Sequence, residues 1–500
     1  MALANDENHN NGEQEQGRRS HFLVVAYGIQ GHINPARTLA RRLARIGGCT
    51  ATLSVSASSH RRMFPSHGSS CEEEVSDGLI SYIPFSDGKD DGSWPNGSED
   101  RARRREANFR SLSAVVDRLA ASGRPVTCML CTLSMPVVGE VAREHGLPIA
   151  IYWIQPATVL VTYYHYFHGH GELIAQQQGS SNSTQDQQVT LPGLRPLRRS
   201  DMPTFFTEKT QDDLSKMILQ AMRELFEQIE QEKPIVLVNT FDALEDVALK
   251  AIQPYMDDVF AVGPAVPPLD ELLHQKDASE AAQVHLFKHD EKDCMEWLDA
   301  QLEKSVVYLS FGSLLAYTKR QAEEILHGLQ DLGRPYLWVV RKEGRAEEVD
   351  LCLRDVKAER GMVVEWCDQQ KVLSHPSVGC FVTHCGWNST LEAIVSGVPM
   401  LAVPSWSDQP MNAYLIEEEW RVGVRAERDA EGVLTRDELV SRLELLMGGS
   451  ERSVQIRANA QSLKERAQEA VATHGPLERS LRSFINKSLQ NLNQSRKSIS

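Results

Sequence analysis

Along most of its 500 residues the chain alternates short runs rich in Val, Ile, Leu and Phe with longer segments of helical periodicity, and few folds accommodate that order. A short apolar run bounded by turn residues suits a strand buried on both faces, and a helix between successive strands is the crossover that parallel pairing requires. In the first half, strands are expected at 21–27, 50–55, 126–131, 149–154 and 235–240. The helix after the first strand is predicted from its caps and spacing. Asn34 suits the N-cap and Pro35 the first helical position, Leu39, Leu43 and Ile46 share a face, and Gly47-Gly48 ends it. From 263 to 292 the pattern dissolves into Gly-Pro, Pro-Pro and a charged stretch, the composition of an interdomain linker. A second series of strands is expected at 306–309, 336–340, 362–366, 380–383, 400–403 and 422–425, with helices between them. The expected fold class is therefore α/β, with two doubly wound, Rossmann-like domains facing across a cleft, at 21–262 and 293–470. A ligand belongs between them, because open α/β sheets bind at the carboxyl ends of their strands.

Composition narrows the partners. With 53 basic against 68 acidic residues the formal net charge is −15, which excludes a nucleic acid as the main partner, since phosphate backbones need clustered Lys and Arg. Nine cysteines without regular spacing read as reduced thiols of a cytoplasmic protein. The one CxxC, Cys128 and Cys131, falls in an expected strand, where residues three apart face opposite ways and share neither a metal nor a disulfide. Residues 1–20 are polar and read as a disordered tail. The most membrane-like stretch, 147–164, is broken by Gln155-Pro156, so no integral membrane segment is expected, and a monomer is.

The densest chemical pattern is His384-Cys-Gly-Trp-Asn-Ser-Thr-Leu-Glu392, directly after an expected strand. A glycine-bearing turn that opens a helix at Asn388 or Ser389 aims free N–H groups and the positive end of the helix dipole into the crevice, which makes an anion site. The same residues also fit a capping box, Ser389 with Glu392, and both readings stand at this level. Trp366 could stack a planar base, and the pair Asp408-Gln409 could hold vicinal hydroxyls. His32, after the first strand and beside a helix start, should be a neutral imidazole able to take a proton. In the run Tyr163 to His170, three histidines lack the carboxylate or thiol that would complete a metal site, so no metal is expected.

The stretch Trp366 to Gln409 reads WCDQQKVLSHPSVGCFVTHCGWNSTLEAIVSGVPMLAVPSWSDQ, and over these 44 positions it resembles, nearly residue for residue, the signature box of plant family 1 UDP-sugar-dependent glycosyltransferases. The runs Ile29-Gln-Gly-His32-Ile-Asn-Pro and Val306-Val-Tyr-Leu-Ser-Phe-Gly-Ser313 extend the resemblance. It implies the GT-B type of two-domain fold, an acceptor-binding N-terminal domain, a UDP-sugar-binding C-terminal domain, and a final segment 471–500 whose helix packs back on the first domain. It implies a hexosyltransferase using UDP-glucose as co-substrate, with inversion, no cofactor and no metal. By the same resemblance Trp366 stacks on uracil, the backbone of Cys367 reads its edge, and Gln369 and Glu392 hold the ribose. His384, Gly386, Asn388, Ser389 and Ser313 surround the diphosphate, Trp387, Asp408 and Gln409 hold the sugar, and His32 is the general base.

One position departs from the family pattern. The Asp that usually orients the histidine is replaced by Thr132, in Val126-Thr-Cys-Met-Leu-Cys-Thr132. A hydroxyl can fix a tautomer but cannot stabilise imidazolium by charge, so either the acceptor needs little base help or another carboxylate substitutes. The same substitution, with the stretches 56–63, 84–92 and 152–157, looks like the branch that holds anthocyanin 5-O-, indole-acetate and crocetin glucosyltransferases, which has both ester-forming and phenol-glucosylating members and so does not settle the acceptor. The expected acceptor is a small lipophilic plant metabolite or hormone. A carboxylic acid, already ionised at neutral pH with a pKa of about 4 to 5, is favoured over a flavonoid or anthocyanin hydroxyl. The remote alternative is a catalytically weak protein that only binds UDP-sugar.

Overall fold

The computed structural model describes residues 20–65, 73–93, 97–133, 135–175, 188–206, 213–267, 291–312, 318–341, 347–353 and 360–499. The tail 1–19, most of the expected linker (268–290) and Ser313 lie outside them. Two parallel sheets organise the rest. In the first, β1 (Ser20–Val25), β2 (Cys49–Ser56), β3 (Val75–Ser76), β4 (Ser81–Phe85), β5 (Cys128–Thr132) and β6 (Ile149–Trp153) are joined, past the small antiparallel pair β7 (Gln188–Val189) and β8 (Leu197–Arg198), by β9 (Ile235–Val238) and β10 (Val259–Ala261). Their order is β10-β9-β6-β5-β1-β2-β4-β3, parallel except for β3. The sequence reading missed β4, whose run contains Pro84. Its neighbour β3 pairs only with Ser81 and Tyr82, so the outer edge is open at Pro84, the setting in which a strand tolerates a missing N–H.

The second sheet, β11 (Val306–Ser310), β12 (Tyr336–Val339), β13 (Gly361–Val364), β14 (Val378–Thr383), β15 (Met400–Ala402) and β16 (Gly423–Arg425), is parallel throughout in the order β13-β12-β11-β14-β15-β16. The first helix begins at Gln30, not near Pro35 as its caps suggested. Pro35 lies inside helix Gln30–Arg45, and His32 sits in the first turn. Ile33, Ala36, Ala40 and Leu43 bury one face on the sheet, each large apolar side chain contributing roughly 1.5–3 kcal/mol. The stretch 147–164 divides at Gln155-Pro156 into β6 and helix Ala157–His165, whose first amides are capped by the buried Glu245 carboxylate, at 2.8 Å from Ala157 N and 3.0 Å from Thr158 N. No helix among the described residues is long and apolar enough to cross a membrane. Cys128 and Cys131 are free, buried thiols.

Both sheets reverse their winding beside a central strand, between β1 and β5 in the first and between β11 and β14 in the second. The loops that leave these strands at their carboxyl ends open on one crevice. Polar contacts hold the two sides in register. Arg425 pairs with the buried Asp201 at 2.8 Å, and Trp420 Nε1 donates to Leu244 O at 3.1 Å. The Arg42 guanidinium fixes the exit of the first domain, donating to the carbonyls of Val262, Pro264 and Val266 at 3.4, 2.7 and 3.1 Å. The last helix, Pro476–Ile499, returns to the first sheet, where Phe484 is fully buried with its ring centroid 5.4 Å from that of Phe22 on β1. Phe484→Ala should therefore destabilise the N-terminal half by about 3–5 kcal/mol, read as a lowered midpoint in urea unfolding. The exposed Gln494 on the same helix is the control, and Gln494→Ala should be near neutral.

Candidate functional site

The crevice is a single cleft of about 2180 Å³ lined from both domains. That is about twice the upper end of an ordinary small-molecule pocket and leaves room for two ligands side by side. Ten basic and six acidic residues line the cleft, and much of this charge is already paired: Arg37 and Arg41 with Asp77, Arg104 with Asp87 and Asp100, and Arg105 with Glu140 and Glu224.

On the C-terminal side, helix Trp387–Ser396 starts earlier than its capping signals indicate, with Gly386 as N-cap and no side-chain cap. The capping box is not formed. Ser389 Oγ instead accepts from Gln369 Nε2 at 2.9 Å, and the same amide donates to Glu392. The first-turn amides are thus left open toward the cleft, the arrangement that binds phosphate. Gly386 is required by close approach: a Cβ there, or on Gly312 at φ +75°, would stand 2.5 Å from His384 Nε2. Burial lowers the His384 pKa to about 4, opposed by the nearby Ser310 backbone, so the ring is neutral at pH 7. Cys385, between them, holds φ +65°, a strained value for a side-chain-bearing residue. Thr383 Oγ1 accepts its N–H at 3.1 Å, and Asn412 Nδ2 donates to its carbonyl at 2.8 Å.

Asn412 also donates to Asp408 Oδ2 at 2.7 Å, tying the expected sugar site to the expected diphosphate turn. Burial raises the Asp408 pKa, opposed by the hydrogen bond from Asn412. Nothing in the sequence singled out Asn412. Gln409 Oε1 accepts from the backbone of Ser405 and Trp406, both at 3.0 Å, which leaves Nε2 for a ligand. Gln369 is more committed than expected: besides the two bonds its amide donates, Oε1 accepts from Tyr308 Oη at 3.2 Å, so it chiefly steadies Glu392. Desolvation raises Glu392 to a pKa of about 7, against the Gln369 hydrogen bond. Trp366 and Cys367 line the same wall, Trp366 two residues beyond the end of β13. The reading that Trp387 holds sugar hydroxyls needs correcting for its side chain. The indole N–H is already given to Asn239 O at 2.8 Å, across the domain boundary, leaving only its main-chain N–H.

On the N-terminal side, His32 Nδ1 lies 3.0 Å from Thr132 Oγ1, at the end of β5. Burial lowers the His32 pKa to about 4, and no nearby carboxylate opposes it. Among the described residues no acidic side chain contacts the ring, so the substitute carboxylate considered above is not found there. The two sides meet directly: Asn388 Nδ2 donates to Gly31 O at 3.1 Å, one residue from His32. The cleft lining includes apolar side chains, among them Phe205 and Trp406, whose rings meet edge to face at 5.1 Å between centroids. Of the histidines of 163–170, His165 and His170 lie edge to face with ring centroids 5.1 Å apart. His168 binds Tyr164 O and Glu230, and His165 faces Pro192 O. Among the described residues no group of three His, Cys, Asp or Glu side chains is placed to hold a metal.

These features match known proteins. The family described as UDP-glucoronosyl and UDP-glucosyl transferase matches residues 271–454. A crocetin glucosyltransferase of Gardenia jasminoides, named as chloroplastic, is 41% identical over 477 residues, 94% of this chain and 97% of its own. A phloretin 4'-O-glucosyltransferase of Malus domestica is 42% identical, covering 93% of this chain and 97% of its own. Among solved structures, Os79 from O. sativa in complex with UDP superposes with a TM-score of 0.78 at 29% identity, over 93% of this chain and 100% of that one. With two facing Rossmann-like domains of the GT-B type, the chain belongs to the family 1 UDP-glycosyltransferases, the UDP-glucosyltransferase enzymes of plant small-molecule metabolism.

Proposed function

We propose that the chain transfers glucose from UDP-glucose, with inversion, to the carboxylate of a small lipophilic acid, giving a glucose ester. The observation that carries this reading is the Asn388–Gly31 hydrogen bond, which brings an open helix N-terminus to within one residue of His32. In this reading uracil lies against Trp366 and the Cys367 backbone, and Glu392, steadied by Gln369, accepts from the ribose. The diphosphate meets the amides of residues 387–389, with His384, Asn388 and Ser389 around it. Asp408, the free amide of Gln409 and the Trp387 main chain take the sugar hydroxyls. Helix-end amides stabilise the charge that develops on the leaving UDP, so no metal is needed. His32 faces the acceptor oxygen. What supports an acid over a phenol is Thr132, which supplies no charge to stabilise imidazolium. The relatives' names span both chemistries, a crocetin and a phloretin 4'-O acceptor, and leave the class open.

The test is a UDP-glucose transfer assay over carboxylic acids and phenols, followed by mild alkali. We expect products that are mostly cleaved by alkali, as acyl glucosides are. A set of alkali-stable glucosides would favour the flavonoid or anthocyanin alternative, and hydrolysis of UDP-glucose without transfer the binding-only one. The donor side has its own pH signature. With Glu392 at about 7, its carboxylate is nearly complete at pH 8 and nearly absent at pH 6. Charge-assisted bonds to the ribose are lost as pH falls, so KM for UDP-glucose should rise by up to about tenfold from pH 8 to pH 6, and stay flat in Glu392→Gln. Gly386→Ala, whose Cβ would displace His384, should cost on the order of 10²-fold in kcat/KM and lower the melting temperature by a few degrees, about 1–3 kcal/mol of over-packing.

A further inference from the structure

The loop that carries Asp408 and Gln409 is held from the other domain. Segment 198–206 of the N-terminal half reaches it, anchored by the Asp201–Arg425 ion pair at 2.8 Å and by the edge-to-face contact of Phe205 with Trp406. Between these anchors Thr204 makes two hydrogen bonds to one residue. Its backbone N–H donates to Ser407 O at 2.9 Å, and its Oγ1 accepts from Ser407 N, also at 2.9 Å. The N–H of Ser407 belongs to the peptide plane before its Cα, and its carbonyl to the plane after. Because φ and ψ are the rotations of these two planes about the Cα, a partner that grips both fixes both dihedrals. The conformation so held is left-handed, φ +61°, a strained value for a residue with a side chain. Ser407 directly precedes Asp408, the N-cap of helix Gln409–Tyr414, and its side chain is hydrogen-bonded to the Asp408 carboxylate.

We infer that Thr204, a residue of the N-terminal domain, is a positioning residue for the hexose of the nucleotide sugar: by holding Ser407 left-handed it aims the Asp408 carboxylate and the Gln409 amide at the sugar. This deepens the proposed function and rests on its assignment of Asp408 and Gln409 to the sugar hydroxyls. The residues read there for uracil, ribose and diphosphate lie on other segments, Trp366 to Gln369 and His384 to Glu392. Loss of the clamp therefore acts on the sugar and spares UDP. Displacement at C1 needs the sugar held in line between the attacking oxygen and the leaving phosphate, so a loosened sugar costs rate more than it costs nucleotide affinity. The sugar site is in this way built by both domains. The carboxylate and the amide come from one, the bonds that aim them come from the other, and the site is complete only when the two are docked.

Two measurements on the full chain separate sugar from nucleotide: kcat/KM for UDP-glucose, and the inhibition constant of UDP, which lacks the sugar. Thr204→Val keeps the size and the backbone N–H and loses the acceptor for Ser407 N. It should lower kcat/KM roughly tenfold, the cost of one hydrogen bond at a strained turn, and leave the UDP constant within about twofold. Thr204→Ser, which keeps the hydroxyl, should stay within about twofold of wild type in both. In a Ser407→Gly background the left-handed conformation carries no side-chain penalty, so the same loss of the hydroxyl should cost no more than about threefold. If valine is not tolerated at the half-buried position 204, Thr204→Ala makes the same comparison. An unchanged kcat/KM in the variant that folds overturns the inference. So does an equal loss of UDP affinity, the mark of a general loosening between the domains, and so does an equal cost in the Ser407→Gly background. Asp408→Ala distinguishes the underlying reading. If it leaves kcat/KM unchanged, the assignment of the sugar site has failed, whereas a loss there with none in Thr204→Val overturns the clamp alone.

Discussion

The site depends on one contact between two helix N-termini. Helices Gln30–Arg45 and Trp387–Ser396 both follow the carboxyl end of a central strand, and they face each other because Asn388 donates to the Gly31 carbonyl. In an unbroken helix that carbonyl would accept the N–H four residues on, but residue 35 is proline and has none. The proline that looked like a helix start is instead what leaves Gly31 open to the other domain. Asn239 reinforces the contact, accepting the Trp387 indole N–H on its carbonyl and the Ala265 N–H on its side chain at 2.8 Å each. A change in the angle between the domains would therefore move the anion site and His32 together.

Charge in the cleft is handled mainly by dipoles and burial. Glu392, Asp408 and His384 are all pushed toward their neutral forms by desolvation, so the site relies on open helix-end amides more than on fixed carboxylates. The backbone at Cys385 and at Ser407, φ +65° and +61°, is strained, and each strained residue is held by bonds from a distant element, Asn412 in one case and Thr204 in the other. Such strain persists only where the surroundings over-determine it, which is the condition for a preorganised loop.

Much of this was legible in the sequence. The strand and helix order followed from apolar periodicity, and β11 to β16 lie within a residue or two of the runs read for them, since buried parallel strands are apolar on both faces. The same logic failed where tertiary support overrides a local signal. β4 tolerates Pro84 because of where its neighbour ends, and helix Trp387–Ser396 ignores a capping box because Gln369, on another helix, takes both of its side chains.

By itself, the sequence determined the kinds of elements, the turn glycines and the set of polar groups delivered to the cleft, all properties of residues near one another along the chain. Only the tertiary structure decided what each polar group does there. The Trp387 indole is taken by Asn239, 148 residues away, and Thr132 meets His32 across 100 residues. A hydrogen bond satisfies one donor with one acceptor, so which atoms remain for a ligand depends on these long-range partners, and no local pattern encodes them.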